Sequence, residues 1–69
     1  MEIEEEKAKQ IAANFFAQYH SVIETRAIKD GNKWFVHVTV LGGENKVAAV
    51  DSDSGRILGW NNLGSQQPK

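Results

Sequence analysis

The stretch from Lys33 to Leu41, KWFVHVTVL, constrains this chain more than any other. Trp34, Val36, Val38 and Val40 alternate with Phe35, His37, Thr39 and Leu41, and β-branched and aromatic residues dominate the run. Successive side chains of a strand project to opposite faces, so this composition predicts a strand in the middle of a sheet. Asp30-Gly31 stands before it and Gly42-Gly43 after it, and both pairs are turn formers.

Before that strand lie Val22, Ile23, Thr25, Ala27 and Ile28. Asp30-Gly31 between two β-prone runs predicts a hairpin with those two residues at the centre of its turn. Ala27 then faces Trp34, Thr25 faces Val36 and Ile23 faces Val38. A one-residue slip would set Glu24 and Arg26 among the valines, and burying unpaired charge costs several kcal/mol. After the strand, a three-residue loop over Gly43 to Asn45, with Asn45 left-handed, brings Ala48 and Val50 onto the valine face. The run Asp51-Ser52-Asp53-Ser54-Gly55 predicts a bulged turn that pairs Val50 with Leu58 and Ala48 with Trp60.

Upstream of these runs, Ala8, Ile11, Ala12, Phe15 and Tyr19 recur at the spacing of one helical face, with Phe16 at its edge. Glutamates 2, 4, 5 and 6 suit the positive end of a helix, and Glu5 with Lys9 forms a favourable i,i+4 pair. A helix from about Glu4 to His20 is expected. The predicted fold is α+β: one N-terminal helix on one face of a four-stranded antiparallel meander, occupying residues 1–63, with a frayed tail over 64–69. Its core would hold Ile11, Phe15, Tyr19, Trp34, Val36, Val38, Val50 and Leu58.

With 69 residues and no cysteine, neither disulfides nor a thiolate metal site can reinforce so small a core. Eight basic against nine acidic residues give a net charge of −1, so nucleic acid would need a basic patch assembled by folding. No apolar run approaches the roughly 20 residues that span a bilayer, and Met1 leads into acids rather than a signal peptide. A cytoplasmic location is expected if the chain is complete, an envelope or extracellular one if a signal was removed.

Lys46 to Trp60, KVAAVDSDSGRILGW, resembles the closing strand–turn–strand of the PepSY family, in which a strand ending in Val-Asp meets a polar turn ending in Ser-Gly or Thr-Gly. Asp30-Gly31 followed by Trp34, Val36 and Val38 is similar to that family's glycine turn and aromatic-then-valine strand. The alanine-rich segment from Lys7 to Phe16 resembles its opening helix. The resemblance implies a non-catalytic module that restrains or regulates a peptidase. It also implies structural roles for Asp51, whose carboxylate would accept backbone N–H groups, and for Gly55 at positive φ.

Residues with chemical potential fall short of a reaction. Asp51-x-Asp53-x-Gly55 offers oxygen ligands, yet an EF-hand loop needs glycine and a bidentate acid where Arg56 and Asn62 stand. His20 and His37 lack a zinc spacing. Ser21, Ser52, Ser54 and Ser65 lack a nucleophile elbow, and no helix follows Gly42-Gly43 to hold a phosphate. The expectation is a non-enzyme with no cofactor and no metal.

A single helix covers one face of such a sheet. The other would carry Phe35, His37, Thr39, Leu41, Val47, Ala49 and Ile57, flanked by Glu24 and Arg26, which is apolar for a solvated face. The expected function is binding of a protein partner or a second copy, with Phe35, His37, Leu41, Val47 and Ile57 as the contact residues. A competing reading is a nucleic-acid binder in which Phe35 or Trp60 stacks bases while Lys33, Lys46 and Arg56 meet phosphate. A small-molecule ligand between helix and sheet, beside Trp34, Tyr19, Ala12 and Ala48, is the third.

Overall fold

The computed structural model describes residues 2–42 and 45–63. A 13-residue helix, α1 (Glu5–Ala17), precedes four strands: β1 (Val22–Asp30), β2 (Lys33–Val40), β3 (Asn45–Asp51) and β4 (Ile57–Leu63). The strands pair antiparallel in the order β1-β2-β3-β4, with α1 packed on one face. This is the α+β meander that the sequence predicts. The tail expected from Gly64 lies outside the described residues.

The helix reaches the sheet through Ala8, Ala12 and Phe16, a stripe at i,i+4 spacing that is fully buried. Two methyl side chains let the helix backbone lie close to Val36, Val38, Ala48 and Val50, and Phe16 fills the deeper space beyond them. Ile11 and Phe15 flank the stripe partly buried. Phe16, expected at the edge, is therefore the aromatic anchor. Tyr19 is a second correction. The N–H groups of Tyr19 and His20 both bond the carbonyl of Phe16, at 3.0 and 2.9 Å, which closes the last turn. The helix stops at Ala17 and leaves Tyr19 79% exposed.

Trp34, Val36, Val38 and Val40 face the helix as expected, but the neighbouring registers differ. Asp30 pairs with Lys33, so the first turn is centred on Gly31-Asn32 and Ala27 stands opposite Val36. Only Gly31 takes positive φ there, +66°, whereas a turn centred on Asp30-Gly31 favours it at both residues. The shift of two preserves the faces. A bulge between Val22 and Glu24 does not: Val22 turns to the core and Ile23, expected beside Val38, is exposed. Asn45 is no loop residue; it opens β3 opposite Thr39, without positive φ. Gly43 and Glu44 lie outside the described residues. Ala48 and Val50 still join the valine face.

The last connection carries the largest correction. The N–H of Asp51 donates to the Arg56 carbonyl at 2.8 Å, so β4 starts one residue early relative to the expected register. A bulge between Ala49 and Val50 absorbs the difference. Ala48 opposes Trp60 as expected, but Val50 opposes Ile57 rather than Leu58. Ile57 packs on the core, and Leu58 is 53% exposed. Within the turn, Asp51 Oδ1 accepts the Asp53 N–H at 2.8 Å and Gly55 has φ +79°.

Residues ahead of α1 tie these turns together. The Ile3 N–H donates to the Ser52 carbonyl (2.7 Å), and the Trp34 indole N–H donates to the Ile3 carbonyl (3.3 Å). The Ser52 N–H in turn bonds the Asn32 carbonyl at 3.0 Å. Lys29 closes the group, its ammonium 3.4 Å from Glu2 and 5.3 Å from the centre of the Trp34 ring.

Candidate functional site: the open face of the sheet

Cross-strand pairing fixes what the face opposite α1 presents. One row runs Ile28, Phe35, Ala49 and Gly59 from β1 to β4. The next runs Arg26, His37, Val47 and Asn61, and a third starts Glu24, Thr39 and Asn45. Directly opposed side chains on a sheet lie about 5 Å apart, so each row forms a continuous strip. The face has two characters. Phe35, Val47, Ala49 and Leu58 gather toward β4, whereas Glu24, Arg26, His37, Thr39 and Asn45 gather at the other end, across β1 to β3.

Each half is hollow. The apolar end holds a concavity of about 350 Å³ with Phe35 and Leu58 as walls, Ala49 and Gly59 as floor, and Lys33 and Asn61 among its lining. Gly59 leaves open space where a side chain would stand, with nothing within 4 Å. The polar end holds a smaller one of about 210 Å³, lined by the five polar residues. A carboxylate, a guanidinium and an imidazole there offer hydrogen bonds of both senses and charges of both signs.

Among the expected contact residues, Phe35 and Val47 line the apolar concavity and His37 the polar one. Leu41 lies beyond the end of β2 and is exposed, its N–H bonded to the Ser21 carbonyl at 2.8 Å, and it lines neither. Ile57 is a correction: the β4 bulge turns it onto the core beneath α1, so it is not on this face. Leu58 takes its place. Ile28 (50% exposed), Leu58 and the gap at Gly59 were missed by the sequence reasoning. A Gly in a strand-like run is the one available sign that a bulge or close approach belongs in β4.

The basic residues of the competing reading do not converge. Lys46 is only 3% exposed, on the helix side, where its ammonium donates to the Asn62 side-chain oxygen and lies 5.4 Å from the Trp60 ring centre. Lys33 stands on the open face between Asp30 and Asp51, and Arg56 is exposed in the last turn. Trp60 lies edge-on to Phe16 at 5.6 Å and Phe15 at 6.4 Å. Among the described residues no three His, Cys, Asp or Glu side chains gather, and no helix is long and apolar enough to cross a membrane.

Compared with known proteins, the sequence matches no family model and no curated protein, and no solved structure matches.

Proposed function

We infer that the chain is a non-enzymatic interaction module that docks a protein partner on the open face of its sheet. The observation that carries this reading is the grouping of Phe35, Val47, Ala49 and Leu58 around one hollow on the side away from the helix. An apolar centre with a polar border is the make-up of a protein contact surface: apolar groups are removed from water, and the charged rim fixes orientation. Glu24, Arg26 and His37 supply that border. A peptidase as the partner rests on the PepSY resemblance alone, carried over about Lys7 to Trp60.

The test is affinity capture from the native source, with Phe35→Ser as the control. Phe35 is the aromatic side chain that β2 contributes to the hollow, and its truncation should weaken binding by about tenfold or more. The helix side of the sheet should be untouched, so the melting curve keeps its shape. Capture of the same proteins by both chains, at the same yield, refutes the reading.

A further inference from the structure

We propose that the β4 edge pairs with the β4 edge of a second copy, joining two sheets into one of eight strands. Among the described residues β1 and β4 are the two outer strands of the sheet, and they are built differently. β1 carries Glu24, Arg26, Lys29 and Asp30, and a bulge interrupts its pairing near Ile23. Charges and bulges on an edge are the devices that keep other strands from adding to it. β4 is seven residues, ILGWNNL, without a charged side chain or a proline. Its bulge lies at its beginning, so the rest of the strand offers an unbroken line of backbone donors and acceptors.

Side chains on both faces of β4 point to the same conclusion. Leu58 on the open face and Trp60 on the helix face are 53% and 46% exposed, so the edge is flanked by apolar surface above and below. The bulk of α1 lies over β1 to β3 and meets β4 through the Phe15 and Phe16 rings against Trp60. An antiparallel β4–β4 pair has a two-fold axis through the edge, which keeps both helices on one side and brings the two Trp60 clusters together. A head-to-tail β4–β1 pairing would instead grow without closing, and the charges of β1 oppose it.

The second copy also completes the hollow described above. On its β4 side Leu58 stands as a wall, but there is open space above Gly59 and, among the described residues, no further strand beyond Gly59 and Asn61. A paired strand places a second set of β4 side chains along that border and turns two shallow hollows into one groove. The pairing itself holds whatever the groove binds.

Sedimentation equilibrium of the 69-residue protein across micromolar to millimolar concentrations tests this. The expected result is a mass that rises from 7.7 kDa toward twice that value. Gly59→Lys puts one added charge on each of the two paired strands, next to Trp60, and should weaken association by more than about tenfold. Gly59 has neither positive φ nor a crowding neighbour, so this variant should keep its circular dichroism and melting behaviour. Ile23→Lys on β1 and Phe35→Ser on the open face should leave association unchanged. A 7.7 kDa species at every concentration overturns the proposal. So does a dimer that survives Gly59→Lys, or one abolished by Ile23→Lys or Phe35→Ser, since each places the contact elsewhere.

Discussion

Phe16 should be the most costly aromatic of the helix to truncate. It is 2% exposed, lies edge-on to Phe15 at 5.1 Å and to Trp60 at 5.6 Å, and packs on the buried valines. Truncating a buried phenylalanine to alanine removes about 3–5 kcal/mol, part transfer and part cavity. A domain of this length has roughly 3–10 kcal/mol in total, so Phe16→Ala should leave a marginal or unfolded chain. Phe16→Leu preserves most of the volume and should cost about 1 kcal/mol, which keeps the measurement in range. Phe15→Ala, at a partly buried position, should cost roughly half as much as Phe16→Ala. Tyr19→Ala should stay within about 0.5 kcal/mol of the parent.

Urea unfolding followed by tryptophan fluorescence provides the assay, because Trp60 touches the Phe16 ring directly. The ordering is what matters. Periodicity alone puts Phe15 and Tyr19 on the buried face and Phe16 at its edge; the packed structure reverses that order. A Tyr19→Ala loss as large as that of Phe16→Ala, or a Phe15→Ala loss above it, refutes the stripe of Ala8, Ala12 and Phe16.

Three further outcomes test other parts of the fold. Gly55→Ala should destabilise by about 1–2 kcal/mol in urea titration, because φ is +79° and an added Cβ would stand 3.2 Å from Ile11 Cδ1. Gly59→Ala, with open space above it, serves as the matched control and should change stability by less than about 0.5 kcal/mol. Lys46→Ala should cost about 1–3 kcal/mol through the lost Asn62 hydrogen bond and the lost packing of its stem, whereas Lys33→Ala on the exposed surface should cost little; thermal melts separate the two. Trp34→Phe removes the donor to the Ile3 carbonyl, so amide exchange at Ile3 should accelerate while that at Val36 holds.

Element types and faces were readable in the sequence because each rests on a long run of agreeing residues. Four alternate positions from Trp34 to Val40 specify which side of β2 is buried, and no local event reverses that. Register is different. Moving the first turn from Asp30-Gly31 to Gly31-Asn32 shifts the pairing by two residues and changes no face, so the alternation pattern is blind to it. Burial depth along the helix is equally hidden. Phe15 and Phe16 are adjacent, and which of them reaches the core depends on how the helix rolls over Ala8 and Ala12, a tertiary effect with no sequence period of its own.

The bulges are where the sequence misled, and one of them makes the candidate site. With regular pairing through β4, Leu58 would lie under the helix and Ile57 outside it. The extra residue between the Val50–Ile57 and Ala49–Gly59 pairs reverses both assignments at once. It moves Leu58 to the open face directly beside Gly59, so a large apolar wall stands next to a position with no side chain. Wall and gap together shape the hollow around Phe35: the unpaired residue supplies the wall, and Gly59 lies opposite Ala49 in either register. After the bulge, from Gly59 onward, the strand pairs regularly with β3 and has no partner strand on its other side among the described residues. Trp60 then remains on the helix face while Leu58 occupies the open one, which gives the edge apolar side chains above and below. A single bulge therefore shapes the hollow and equips the β4 edge for a second strand.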